Sequence, residues 1–330
     1  MPVKSQERWT TRLTDFFLDL LPPSLRDTLL SAKRFHFFKG KATSSEKLLI
    51  QLVDGRDYHG GLTDRLKGIV SAYGVAQLKG RTFKIHHTSP FQLSDYLAPN
   101  AVDWAIVDEA NISKNFFQAR LFHFRKGDGQ KGVRRIRNVG NILQMHCYCK
   151  GELYQLLETS DGWGTEYRRL FKPVADLQQR IDVHKAIIGA PYNAAVFRFQ
   201  NLLGDFAEYH YQKTDAERQR QLMEKCKNVL LQLQRDNIGK KMLVTSDSSR
   251  FLQYVTGLPD IFSFPAKVVH LDWTNNASYE TYLKSFLDFY LVAGADKVFS
   301  IGTVGMYKSD FPKYAAMVNG VPFVRVVVED

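Results

Sequence analysis

Cysteine is scarce in this sequence. Cys147, Cys149 and Cys226 are the only three in 330 residues, so they cannot all pair with one another. Cys147-x-Cys149 is too closely spaced for a zinc knuckle and has no second pair. A disulfide scaffold and a structural zinc site are thereby excluded, and the thiols read as buried or half-buried in a reducing compartment. Long apolar runs are missing too. Stretches such as 101–107 are strand-sized, far from the roughly 18–20 residues of a membrane-spanning helix. A secretory pattern is absent: Asp15 and Asp19 interrupt Phe16-Phe17-Leu18 after Lys4, Arg8 and Arg12, and no small-residue cleavage site follows. No G-x-G-x-x-G, no Walker loop ending in Lys-Ser/Thr and no G-x-S-x-G elbow occurs. Dinucleotide dehydrogenases, P-loop ATPases and α/β-hydrolases are disfavoured accordingly. There is no Asp-x-Asp triplet, and His86-His87 on a strand would point to opposite faces. The expectation is a protein without metal or cofactor.

What is present is a globular composition, with 44% hydrophobic, 13% aromatic and 24% charged residues. The length suits about two domains. Forty-five Lys and Arg against 34 acids leave a formal charge of +11. Such a surface attracts phosphate in any form, whether nucleic acid, anionic lipid or nucleotide-sugar, and charge alone does not choose. The densest run, 120–137, sets seven cations against Asp128. It reads either as a solvated loop face or as a site for headgroups or an anionic acceptor.

Residues 1–44 form a basic amphipathic N-terminal segment. Trp9, Leu13, Phe16, Phe17, Leu20 and Leu21 keep helical spacing until Pro22-Pro23, and a second amphipathic piece covers 25–38. It can lie on a membrane surface or pack on the body. From Lys47 the pattern alternates strand and helix. Strands are expected at 48–53, 83–85, 104–107 and 141–148, with helices at 64–78 and 170–188. Gly189-Ala190-Pro191 marks a boundary, giving an N-terminal Rossmann-like domain at 45–190 and a C-terminal one at 191–330. In the latter, strands fall at 194–199, 242–245, 268–271, 297–301 and 323–328. Its helices fall at 215–236, 249–255, 279–292 and 313–318, the first capped by Thr214 with Glu217. The fold class is α/β, doubly wound.

Ligands of such sheets bind beyond the carboxyl ends of the strands. Those ends carry Gln200 to Phe206, Ser246-Asp247-Ser248, Asp272-Trp273 and Gly302-Thr303-Val304-Gly305. Arg198, within an apolar strand, is costly to bury unless an anion meets it. Its alternative is a structural pair with Asp205 or Asp247. Asp247 could equally cap a helix, as could Ser309. Gly60-Gly61 and Gly302-x-x-Gly305 could each let backbone approach phosphate.

Gly60-Gly61-Leu62-Thr63-Asp64-Arg65-Leu66 resembles the N-terminal motif of the fucosyltransferase superfamily that includes α1,2-, α1,6- and protein O-fucosyltransferases. Val196-Phe197-Arg198 is similar to that family's His-x-Arg strand, and Thr245-Ser246-Asp247 to its Ser/Thr-Asp turn. The run from Tyr307 to Ala316 is similar to its Ser-x-Phe…Ala segment. The resemblance covers roughly residues 46–330. It implies two Rossmann-like domains facing a cleft, the GT-B arrangement, with GDP-fucose as donor and an inverting, metal-independent displacement. Arg198 would grip the β-phosphate, and Asp247 would accept the N–H groups of the guanine edge. Ser309 and the backbone near Phe311 would hold phosphate, and Gly61 and Asp64 would close over the pyrophosphate or the reacting carbon, with Arg198 and Asp64 as the catalytic pair. Arg65, Ser246 and Thr303 complete the implied donor contacts, and Asp64, Asp205 and Glu208 are the candidate bases.

Val196 replaces the family's His and Phe199 its second Arg, which weakens the α1,6 reading. The expected setting is a bacterial, cytoplasmic enzyme, peripheral on the inner membrane face. Its acceptor would be a cell-surface glycan (lipopolysaccharide or capsule) or a lipid-linked sugar. The alternatives are a nucleotide- or glycan-binding protein on the same scaffold and a transferase using another GDP-sugar. Nucleic-acid binding would rest on charge alone and is not expected.

Overall fold

Leu48–Val53 forms β1, buried along its whole length as a central parallel strand must be. The computed structural model describes residues 21–106, 108–124, 128–157, 161–206, 213–266, 268, 271 and 278–328. In it β1 pairs in parallel with β2 (Thr82–His87) and β5 (Gln144–Cys149), and β5 pairs with β4 (Ala119–Phe124). The sheet order is β2-β1-β5-β4. Helix α1 (Pro23–Arg34) covers β4: the Ser31 hydroxyl accepts the Leu121 N–H at 2.9 Å. Phe35, just past α1, joins Leu48, Ile50, Leu52, Leu121 and Tyr148 in one apolar cluster. Helix α2 (Leu62–Leu78) links β1 to β2, and α3 (Gly129–Arg137) links β4 to β5. Among the described residues no helix is long and apolar enough to cross a membrane.

Two compact units result. One gathers the described residues within 1–57, 67–87 and 102–160 around this sheet, the other those within 58–66, 88–101 and 161–330. The second unit holds a five-stranded sheet of order β11-β10-β7-β8-β9. Its strands are β7 (Tyr192–Phe197), β8 (Lys241–Ser246), β9 (Ile261–Ser263), β10 (Val298–Thr303) and β11 (Phe323–Val328), all parallel. Ala195, Phe197, Met242, Val244, Phe299 and Ile301 recur with period two and bury one face under α6 (Ala216–Asp236) and α7 (Ser249–Val255). Helices α8 (Tyr279–Ala293) and α9 (Phe311–Asn319) pack on each other and on β8 and β10. A two-stranded antiparallel pair, β3 (Leu97–Pro99) with β6 (Phe171–Pro173), completes the unit. The class is the expected one, α/β with two parallel sheets.

Residues 161–190 pack in the second unit, not with the sequence that precedes them. Helix α4 (Trp163–Leu170) lies so close to α9 that a Cβ on Gly164 would stand 1.8 Å from the Met317 carbonyl oxygen. Arg168 also donates to the Val318 carbonyl. Helix α5 (Ala175–Ile188) reaches α8 through Arg180–Glu280 at 2.9 Å.

Several expected elements fall elsewhere. The helix expected at 170–188 is interrupted by β6, because Pro173 has no N–H to donate and cannot continue a helix. No strand forms over the described residues of 104–107; the fourth strand is β4, where Arg120 and His123 disguise an alternating pattern. The edge strand beside β8 is β9, and Val268 and Leu271 are not in a strand. The cap of α6 is Asp215, whose carboxylate accepts the Arg218 N–H at 2.8 Å, while Thr214 donates to the Leu202 carbonyl. The amphipathic pattern at 9–21 lies outside the described residues apart from Leu21.

Candidate functional site

A doubly wound sheet binds ligand where its strand order reverses. In the second sheet the chain steps from β7 outward to β8 and β9, then returns to β10 and β11 on the other side. The reversal lies at the carboxyl ends of β7 and β10. Strand β7 stops at Phe197, so Arg198 is the first residue beyond the strand, not a member of it.

Arg198 donates from Nη1 to Asp247 Oδ2 at 2.9 Å, and its guanidinium carbon stands 4.5 Å above the Phe206 ring. Asp247 Oδ1 accepts the Phe199 N–H at 2.9 Å and Oδ2 the Gln200 N–H at 2.7 Å. The neighbouring Ser246 hydroxyl lies 3.4 Å from Oδ1 and accepts the Ser248 N–H at 3.1 Å. Burial pushes the Asp247 carboxyl above its ordinary value, against the pull of Arg198 and of the two backbone N–H groups. Asp247 is not the helix cap; Ser248 is, accepting the Phe251 N–H at 3.1 Å. Asp247 is a clamp on the 198–200 turn. The two oxygens that the resemblance offers to a guanine edge face the chain's own donors in this structure.

Thr303 ends β10, half-buried, with its N–H 3.4 Å from the Met306 sulfur. Ser309 Oγ accepts the Phe311 N–H at 3.2 Å, and Phe311 opens α9 with its ring 5.5 Å from that of Phe289. The amino end of a nine-residue helix thus follows β10 at the switch point, where orphan N–H groups favour an anion.

The Gly60–Arg65 turn also belongs to the second unit. Gly60 has φ of +76°, and a Cβ there would meet Asp64 Oδ2 at 2.6 Å. The Asp64 carboxylate therefore lies against this turn. Gly61 has open space where its Cβ would stand, so nothing in the fold demands glycine there. Arg65 is buried and donates to the Gly60 carbonyl at 3.1 Å and the Ser89 carbonyl at 2.9 Å, bracing the turn. Asp205 is engaged at the start of α7, where Oδ2 accepts Ser248 Oγ–H and the Arg250 N–H, both at 2.9 Å. Glu208, Asp272 and Trp273 lie outside the described residues.

The structure therefore brings Arg198, Ser246 and Asp247 together, puts Thr303, Ser309 and Phe311 on the adjoining connection, and groups Gly61, Asp64 and Arg65 on a separate turn. Two participants escaped the sequence reading. Phe206 carries the Arg198 guanidinium. Gln200 is buried at φ 52°, with no partner for its side-chain oxygen among the described residues. Strained non-glycine backbone of this kind concentrates at functional sites; its only signal in the sequence is its place just after the strand.

The ligand end of the first sheet holds a second polar network that reads in sequence as a plain loop. Asp54 accepts from Tyr148 Oη at 2.7 Å and Arg34 at 2.9 Å, and Arg34 also donates to Tyr148 Oη at 2.7 Å. Asp57 pairs with Lys150 at 2.7 Å and His123 at 3.4 Å. Burial alone would raise both carboxyls; these partners outweigh it and hold Asp54 below, and Asp57 well below, the usual carboxylate value. All three cysteines are free and buried, and burial pushes Cys149 and Cys226 up to about 12. Among the described residues no group of three or more His, Cys, Asp or Glu could hold a metal ion.

No protein-family model matches this chain, and no curated protein sequence matches it. Solved structures do. The NodZ alpha-1,6-fucosyltransferase co-crystallized with GDP superimposes with a TM-score of 0.53 and 17% identity, over 86% of this chain and 95% of that one. NodZ soaked with GDP-fucose gives 0.51 and 17%, over 85% and 94%, and NodZ from Bradyrhizobium gives 0.52 and 17%, over 86% and 95%. A variant of Arabidopsis thaliana FUT1 in complex with GDP gives 0.57 and 10% identity, over 92% of this chain and 74% of that one. At such identities the likeness is one of architecture: the chain has the GT-B-like fold of fucosyltransferases of known structure.

Proposed function

We propose that this protein is a glycosyltransferase that takes fucose from GDP-fucose by an inverting displacement without a metal. The observation that carries the reading is Arg198, held between Asp247 and the Phe206 face at the switch point of the second sheet. A guanidinium fixed there stays charged at any working pH and meets the negative charge that grows on the β-phosphate as the sugar departs. The amino end of α9 with Ser309 supplies further donors to phosphate. The open space at Gly61 leaves room for a ligand to reach the backbone. Gln200 offers a buried acceptor to a donor N–H of the nucleotide. Asp247 acts chiefly through position, holding Arg198 and the 198–200 turn in place. Asp64, against the Gly60–Gly61 turn, is the carboxylate assigned to the acceptor proton, because the motif resemblance sets that turn over the reacting carbon. The acceptor class proposed is a hydroxyl of a cell-surface or lipid-linked glycan.

The fold is shared with structures described as holding GDP or GDP-fucose, which supports this donor over a uridine sugar. The test is incubation with GDP-fucose, scoring GDP and free fucose. Slow release of both that Arg198→Ala lowers about 100- to 1,000-fold supports the reading. Tight GDP binding with no turnover of GDP-fucose or of other GDP-sugars, even with glycan acceptors, would leave a nucleotide-binding protein instead.

A further inference from the structure

Large aromatic residues are ordinarily exposed singly on soluble surfaces. Here Phe38 is 95% exposed, Phe117 67% and Phe37 44%. Phe37 and Phe117 stand together, the Phe37 ring 6.1 Å from Phe117 and 4.8 Å from Phe116, and Phe38 is the next residue in the chain. Nor is this a frayed end. The His36 N–H reaches the Lys114 carbonyl at 2.7 Å, the Phe116 N–H the His36 carbonyl at 2.8 Å, and the Lys114 N–H the Gly40 carbonyl at 2.7 Å. Asn115, fully buried, donates to the Phe37 and Lys39 carbonyls at 3.3 and 3.2 Å and accepts the Phe117 N–H at 3.0 Å. The backbone is built to hold these rings outward, at a cost in exposed apolar area that folding alone does not explain.

The two segments that carry these rings have charge of one sign. Residues 28–45 and 112–127 contain no Asp or Glu. Lys33, Lys39, Lys41 and Lys114 in these segments are exposed, and Arg120 lies over the Phe116 ring at 4.6 Å. Arg34 does not count toward this surface, since Asp54 holds it. The nearest acids along the chain, Glu46 and Glu109, lie beyond both segments.

We propose that this surface docks the protein on an anionic lipid bilayer. Phe38 and Phe117 enter the boundary between headgroups and acyl chains, and Lys39, Lys41 and Lys114 meet lipid phosphates. Apolar rings ringed by lysines whose stems reach outward suit an interface that is oily within and negative above. The proposal does not depend on the transferase reading.

The test is sedimentation of the full chain with vesicles of phosphatidylcholine alone and of phosphatidylcholine with phosphatidylglycerol. The parent protein partitions to the anionic vesicles, more weakly as salt rises. Lys39→Glu with Lys41→Glu lowers that partition roughly thirty-fold or more, since each basic residue near the surface contributes about fivefold. Phe38→Ala with Phe117→Ala lowers it about tenfold. Unchanged melting temperatures establish that both variants fold. Equal binding to neutral and anionic vesicles, or variants that partition like the parent, would overturn the proposal. So would a parent protein that ignores vesicles but self-associates through the same phenylalanines, which would assign the surface to a protein partner.

Discussion

The two parallel sheets place carboxylates at equivalent ends and treat them oppositely. In the first, Asp54 and Asp57 each meet more than one side-chain partner and are held below the usual carboxylate value. In the second, Asp247 is buried with one cation and two backbone N–H groups, and burial wins, raising its pKa. The first network holds itself ionised and partners itself. The second ties an arginine at a reversal of strand order, two residues before a strained glutamine, and the adjoining strand β10 leads on to a helix amino end. Ligand chemistry is thus better served at the second sheet, where Arg198 lies at the reversal of strand order that such sheets use for ligands.

The largest test of this contrast is stability. Asp247→Ala leaves Arg198 and two buried N–H groups without their acceptor and is expected to destabilise by about 3–5 kcal/mol. Asp54→Ala, nearer solvent, is expected to destabilise by about 1–3 kcal/mol. Urea unfolding of both variants checks the order; equal losses would remove the distinction.

Next comes function. Arg198→Ala should lower GDP-fucose turnover about 100- to 1,000-fold, and it should also lower the melting temperature, because the buried Asp247 carboxylate loses its cation. Arg34→Ala should lower the melting temperature and leave GDP affinity in place. Steady-state kinetics and calorimetric titration read both.

A smaller effect separates two adjacent glycines. Gly60→Ala forces a Cβ at positive φ against Asp64 and should destabilise by about 1–2 kcal/mol. Gly61→Ala meets open space, should change stability by no more than about 0.5 kcal/mol, and should weaken donor binding. If GDP binding is untouched by Gly61→Ala, that turn lies outside the donor site.

The subtlest effect is on acid response. His146, fully buried among apolar groups and near Arg34, has its pKa lowered from 6.5 to about 3, and its Nε2 meets Gln144 at 3.1 Å. A depressed pKa means that the unfolded chain binds the proton first. Its stabilising contribution is therefore present above 6.5 and lost as pH falls toward 3. Asp54 and Asp57 add losses of the same sign below their ordinary 3.8. Asp247 and Asp288, both raised by burial, act in reverse: stability they lend in acid is lost as pH rises through their folded values. Acidification should loosen β1 and β5 before β7 and β8, as amide hydrogen exchange at stepped pH would show.

Much of the fold was legible because burial enforces pattern. Leu48–Val53, Ser249–Val255 and Phe323–Val328 were read to the residue. Where short apolar runs carried the reading, at 104–107 and 268–271, the described residues are not in a strand, since such runs fit a loop as well as a strand. Strand β4 hid beneath a basic run whose cations are only half its pattern. Arg198 and Asp247 were legible as residues, and their pairing was one of the options open. Their geometry was not: it depends on where β7 stops and on which N–H groups the next turn presents. Gln200 and Phe206 became visible only once the backbone gave them a place.

The central claim is a guanine-nucleotide site at Arg198. It is tested most directly by thermal melting of the parent, Arg198→Ala and Arg34→Ala with equal excesses of GDP, ADP and UDP. GDP at about 100 times its dissociation constant should stabilise the parent by roughly 2.7 kcal/mol. That shift should be selective for GDP, kept in Arg34→Ala and lost in Arg198→Ala. No shift with any nucleotide, or one lost in Arg34→Ala and kept in Arg198→Ala, would contradict the account.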